Sequence, residues 1–342
     1  MQAQRTWLDV MRTLKEHTMR DVSPVVAKAP SDPSFDKKFG YVAFGVLLIV
    51  IALSTYLHHF QPQILNVPNN TDVTAWKNPS LDQSTLGDRL TPEQRETILA
   101  EGVPQSRNIG ALLFGDFLSL FLGWLCFLHA RRHFGFWMAS CFLLGSFVFT
   151  GIEESMWILL GRFTTAGSLN GLGETVYGTY WFTKGVLWFL ETPVTACTGW
   201  FYIAYSCVLV AGKVFPRVSL LGRAAAGGLI AMGIDLWVDP VVTSAEMVSW
   251  VWAKGDMFLL FGIPHTNFVG WFLLIFLFAI FWEKLPGMER KLGRAKATNR
   301  FFLLLFGTEI CILIFFVLWM SVLGSVFSAV GIEHTVCLPK GW

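Results

Sequence analysis

Charge is what this sequence is short of. Of its 342 residues only 15% are Asp, Glu, Lys or Arg, while 54% are hydrophobic; a typical soluble domain is about 25% charged. That balance excludes a disordered chain and an ordinary soluble enzyme. The net charge of +2 offers no basic field, so no nucleic-acid partner is expected. Cysteine is also scarce. Of six, Cys126, Cys141, Cys197, Cys207 and Cys311 fall inside apolar runs and only Cys337 lies outside them, which excludes a disulfide scaffold. No CxxC motif or His/Cys spacing suggests zinc. GxGxxG and Walker motifs are absent, so no metal and no cofactor are expected. His129 and His133 lie beside Arg131 and Arg132 at the end of an apolar run and read as interfacial residues, not heme ligands. The last apolar run has no Lys for a retinal Schiff base. There is no low-complexity tract, and we expect no internal repeat, which counts against a transporter.

What the chain has instead is apolar length. A hydrocarbon core of about 30 Å needs about 20 apolar residues of helix. Seven runs qualify, at about 41–60, 109–128, 136–160, 186–211, 218–239, 265–283 and 302–327. They are continuous rather than alternating, so the expected fold is all-α: a polytopic bundle of about seven transmembrane helices. Basic residues cluster in 1–40, at Arg131 and Arg132, at Lys213 and Arg217, and in 284–300. With seven spans these segments share one side, which places the N-terminus in the cytoplasm and the C-terminus outside. The expected organisation is a basic N-terminal segment 1–40, a transmembrane bundle 41–327 with an outside loop 61–108, and an outside tail 328–342. The segment "TWLDVMRTLKEH" suits a short surface helix. Within the loop, "LTPEQRETILAEG" predicts a helix capped by Thr91, with Pro92 first and Glu93 in its first turn.

Ionisable residues inside spans are costly and mark function by default. Here they are Asp116, Glu153, Glu154, Glu191, Asp235, Asp239 and Glu309, with His265 at a span edge. On the topology above, all but Glu309 lie in the outer half of the membrane. Asp235 and Asp239 are four apart and share a helix face. Pro240 is expected to stop that helix, leaving both carboxylates at its negative end. Burial, a like charge and the dipole together predict that one of the two keeps its proton, which makes an acid/base pair. Asp235, one turn deeper, is the expected donor and Asp239 the expected base. Glu153 and Glu154 point about 100° apart, so they cannot share one pocket equally. Trp237, Trp250, Trp252 and Trp271 are either an interfacial belt or an aromatic wall around a polyene or carbocation.

The stretch "IDLWVDPV…SWVWAKGDMFLLFGIPHTNFVGWF" carries a resemblance. Its Asp235, Asp239-Pro240, Trp250, Trp252, Gly262, Pro264, Asn267-Phe268 and Gly270-Trp271 resemble the integral-membrane carotenoid hydratases of the bacterioruberin and γ-carotene pathways. Upstream, Glu154 with Gly161, the turn at Tyr177, Gly178 and Tyr180, and Pro193 with Trp200 fit the same pattern, so the likeness spans about 145–285. The resemblance implies addition of water to the terminal C=C of an acyclic carotenoid end. Asp235, Asp239, Glu154 and Asn267 would be catalytic; Glu191, Tyr177, Tyr180, Trp237, Trp250, Trp252, His265, Trp271 and Asp116 would bind substrate. The implied partners are a carotenoid or other polyisoprenoid lipid, membrane lipids and further membrane subunits, in the cytoplasmic (inner) membrane of a prokaryote. A non-catalytic lipid- or carotenoid-binding subunit and a proton-coupled transporter are the alternatives.

Overall fold

A computed structural model describes residues 32–61, 86–87, 89–101, 108–163, 180–183, 185–252, 258–330 and 336–338. The expected surface helix near the N-terminus, most of the loop 61–108, Tyr177 and part of the C-terminal tail lie outside them. The helices are α1 (Pro33–Phe60), α2 (Pro92–Glu101), α3 (Ile109–Phe134), α4 (Phe136–Ser146), α5 (Glu153–Phe163), α6 (Val194–Val214), α7 (Leu220–Val242), α8 (His265–Leu292) and α9 (Arg294–Val330). A π-helical turn, Phe147–Ile152, joins α4 to α5 into one span. Among the described residues seven helices are long and apolar enough to cross a membrane. This is an integral membrane protein.

Local chemistry explains the ends. Asp32 caps α1 by accepting from the Phe35 amide at 3.1 Å, with Pro33 at the first position, so the helix starts two turns before the apolar run. Thr91 and Gln94 form a reciprocal cap on α2, at 2.9 and 3.1 Å. α7 runs through Pro240 to Val242 rather than stopping at the proline. Pro240 sits in the last turn, and the Thr243 amide closes on the Asp239 carbonyl at 3.0 Å.

The expected span 186–211 needs a larger correction. Residues up to Pro193 form a hairpin in which β2 (Trp188–Phe189) pairs with β3 (Thr192–Pro193), and the helix begins only at Val194. A residue before proline is held extended, and Leu190 turns the hairpin with φ 54°. A second hairpin, β5 (Phe258–Leu260) with β6 (Ile263–Pro264), precedes α8, and β7 (Val336–Leu338) adds to β5 in parallel. Between them β1 (Tyr180–Phe182) pairs antiparallel with β4 (Trp250–Trp252).

These two halves are a repeat that the sequence reading did not expect. Pro193, Thr195, Gly199, Trp200 and Phe201 recur at a constant offset of 71 residues as Pro264, Thr266, Gly270, Trp271 and Phe272. Leu190 and Phe261, at the same offset, turn their hairpins with φ 54° and 55°, and Pro193 and Pro264 open their helices with nearly equal backbone angles. Each half is a helix, a strand, a hairpin and a helix. The absence of a repeat therefore cannot count against a transporter.

The core is aromatic. Phe278 meets Phe142 at 4.6 Å and Phe149 at 5.5 Å between ring centroids, and Trp282 meets Phe134 at 4.9 Å. Helices approach closely at glycine: a Cβ at Gly228 would lie 2.7 Å from the Phe272 carbonyl, the small-residue packing that membrane helices use. At the end of the bundle away from the hairpins, Arg294 pairs with Asp36 (3.0 Å) and Glu289 (2.6 Å) and stacks on Trp137 (4.8 Å).

Candidate carboxylate site

The Asp235–Asp239 pair is held by one amide. Both carboxyls project from the same face of α7 and are fully buried, at 0% and 1% exposure. Asn267, in the first turn of α8, donates from Nδ2 to Asp235 Oδ2 at 2.8 Å and to Asp239 Oδ2 at 2.7 Å. The Oδ1 atom of each aspartate is buried without a partner. Asp239 lines a cavity of about 630 Å³, within the range of small-molecule sites. Asp235 sits behind it, one turn deeper.

The facing wall comes from the π-helical turn. Turns of this kind recur at functional sites because they re-aim the residues that follow. Here Thr150, within the turn, and Glu154, just after it, line the same cavity. Glu153 lines instead a side chamber of about 50 Å³ that Glu154 and Trp157 also border. Adjacent residues thus serve adjacent spaces, as their angular separation requires. Gly151 is needed for the fit: a Cβ there would meet the Phe189 ring and lie 3.2 Å from Cys197 Sγ. Glu309 on α9 is 0% exposed, neither of its oxygens has a partner, and it interacts electrostatically with Glu153 and Glu154.

The hairpin end closes the site with aromatic rings. Alternate residues of a strand share a face, and Tyr180, Phe182, Trp250 and Trp252 of the β1–β4 ribbon all line the cavity. Their rings meet across the ladder, Tyr180 tilted against Trp252 at 4.5 Å and Phe182 edge-on to Trp250 at 5.7 Å. The indole N–H groups of Trp250 and Trp252 and the Thr150 hydroxyl are buried without partners. Buried polar atoms are normally satisfied, so a concentration of unpaired donors and acceptors around one cavity marks a place built for a polar group. Trp200 and Trp271, equivalent in the two repeats, also line it. Three non-glycine residues with left-handed φ, Leu190, Val248 and Phe261, all lie in this hairpin layer, a costly backbone that the surrounding contacts must over-determine.

Several expected site residues lie elsewhere. Asp116 lines the cavity as expected, beside the Val186 backbone of the first hairpin, whereas Glu191, His265 and Trp237 do not. Glu191 is in the hairpin turn, not in a helix, and does not line the cavity; it is 3.7 Å from His58 Nε2. His58 also bonds the Leu190 carbonyl at 2.8 Å and stacks on Trp188 at 3.9 Å. His265 accepts from Trp319 Nε1 at 3.1 Å, away from the cavity. Trp237 is 74% exposed on the outer surface of the bundle. Glu191 and His265 are drawn away because the hairpin and the helix end need polar partners of their own, and Trp237 because it stands on the exposed face of α7. Thr150 and Tyr202 were missed, and Trp200, though part of the pattern, was given no site role. The repeated Gly-Trp-Phe was the signal for Trp200; Thr150 had none, because a π turn leaves no sequence period.

Among the described residues no cluster of His, Cys, Asp and Glu could hold a metal ion. The architecture defines the class: a polytopic helical membrane protein with buried carboxyls around an aromatic-walled cavity. The profile of the carotenoid biosynthesis protein family matches residues 114–334, about two thirds of the chain, and the chain belongs to that family. No curated protein and no solved structure matches it. The family assignment gives the protein a role in carotenoid biosynthesis.

Proposed function

We propose that the protein is a hydratase that adds water to the terminal C=C of an acyclic carotenoid end. The observation that carries this reading is the Asn267-bridged aspartate pair, with Asp239 facing a cavity walled by aromatic rings. Protonating a trisubstituted alkene creates a tertiary carbocation, which demands a positioned acid and a dry site. Asp239 reaches the cavity and Asp235 does not, so the donor role expected for Asp235 passes to Asp239. In this reading Asp239 gives its proton to the less substituted alkene carbon. The cation forms at the tertiary carbon between aromatic faces that stabilise positive charge. A water oxygen bonds to that carbon, and its proton goes to Glu154, the carboxylate on the facing wall. The proton then returns to the aspartate pair, with Asp235 as its reserve, so the net change is addition of one water. The unpaired Thr150 hydroxyl and the indole N–H groups suit the incoming water and the alcohol it becomes. The basic segments face the cytoplasm, which puts the site in the outer leaflet.

The test is expression in a lycopene-producing host, with mass analysis of the extracted pigments. Pigment heavier by one water supports the hydratase. Unchanged pigment that co-purifies with the protein would instead make it a binding subunit that uses the same cavity.

A further inference from the structure

Among the described residues the cavity runs from the exposed outer end at Asn108, Glu246 and Met247 inward along three helices. Its floor is α6, through Ala196, Gly199, Tyr202 and Ile203, and α3 and α7 stand on either side. On α3 small residues recur every fourth position, at Ala111, Gly115, Ser119 and Gly123. At the inner two of these, α3 touches α6. Ser119 Oγ is 3.0 Å from Thr198 Oγ1 and 3.2 Å from the Thr195 carbonyl, and a Cβ at Gly123 would lie 3.6 Å from Thr198. One turn further toward the hairpins the helices have separated: a Cβ at Gly115 would meet nothing within 4 Å. Gly115 and Ala111 are exposed, and Val238 and Val242 on the opposite bank are partly so. Between α3 and α7 the cavity is thus bordered by accessible apolar helix faces within their spans, while its inner end holds Asp239 with an unpaired buried oxygen.

We propose that this gap is a lateral portal through which the hydrocarbon chain of a polyisoprenoid enters from the bilayer, with Gly115 setting its bore. The reacting end passes inward to Asp239 and the aromatic ribbon, while the rest of the chain runs out along the α6 floor between α3 and α7. An apolar chain gains nothing by crossing water to reach its site, and the apolar banks let it slide in from lipid. The proposal rests on the reading above for the identity of the chain, but the portal itself stands on the shape of the cavity.

The experiment compares full-length wild type, Gly115→Phe and Gly233→Phe in the polyene-producing host. Gly233 is exposed on α7, its Cβ would also meet nothing within 4 Å, and it does not line the cavity, so it controls for bulk added to a lipid-facing helix. Hydrated product and co-purifying polyene should both fall at least tenfold in Gly115→Phe and stay at wild-type level in Gly233→Phe. Should Gly115→Phe accumulate poorly, Gly115→Cys in a cysteine-free background replaces it. Polyene loading should then fall only after alkylation with a bulky maleimide. Wild-type levels of bound polyene in the blocked protein would overturn the portal. Bound polyene that is lost on blocking but never gains water would keep the portal and sink the hydratase. A wild type that carries no polyene and makes no product would sink both.

Discussion

Asp239 and Asp235 differ by one helical turn, and that turn separates the residue at the cavity from the residue behind it. Asn is nearly isosteric with Asp, so Asp239→Asn should leave the protein folded and lower product about 10²–10⁴-fold, the usual worth of a positioned acid. Asp235→Asn, which touches the substrate only through Asp239, should cost less. Both are read as hydrated pigment per unit of folded protein. Equal losses would mean that the pair acts as one unit; wild-type yield from both would remove the catalytic reading. Gly151 offers a structural check: Gly151→Ala puts a methyl into the Phe189 ring and should lose about 1–3 kcal/mol by overpacking, visible as a lower thermal midpoint in detergent and partly restored by Phe189→Leu. Asp235, Asp239 and Asn267 were legible in the sequence because charge and amide in an apolar run are expensive and their spacing fixes a shared face. Glu191, His265 and Trp237 look equally expensive, but their partners, His58, Trp319 and the membrane-facing surface, are distant in sequence.

The first hairpin is clasped by an element that lies outside the family match. Ser54 and Thr55 on α1 accept from the Leu190 and Trp188 amides, each at 2.9 Å, and His58 and His59 bond the Leu190 and Val186 carbonyls. Pro193, at the end of that hairpin, and Thr195, just past it, line the cavity, so α1 supports the site without touching it. Ser54→Ala combined with His58→Ala should leave the partly buried Leu190 backbone groups without these partners, at about 1 kcal/mol each. The expected result is a lower thermal midpoint together with reduced product; an unchanged midpoint would show that the clasp contributes nothing. The second hairpin is held differently, by β7 as a third strand. Apolar runs are legible as helices because length alone decides them, whereas a hairpin of two-residue strands has no period to read. Its proline and left-handed turn emerge only when the two repeats are laid side by side.

For the whole molecule, orientation is the testable quantity. The Lys/Arg asymmetry predicts that a single cysteine placed in 61–108, in a cysteine-free background, reacts with an impermeant maleimide from outside cells, and that one in 284–300 does not. The reverse pattern would invert the protein and move the site to the cytoplasmic leaflet. The same asymmetry agrees with the packing at the basic end, where Arg294 is tied to Asp36, Glu289 and Trp137. That side chain is nearly buried, so Arg294→Ala strands two carboxylates and should cost about 3–5 kcal/mol, read as a lower thermal midpoint.

The sequence by itself determined that the chain crosses a membrane about seven times and that carboxyls stand inside it, because hydrocarbon solvation depends on composition over about 20 residues. The motif around Asp235 and Asn267 pointed to the family through residues close together in the chain. Only the tertiary structure decided which carboxyl reaches the cavity, which acid is spent on holding a hairpin, and that α3 and α6 part at Gly115. Those outcomes depend on helix rotation, a π turn and contacts across more than a hundred residues, and no local pattern encodes them.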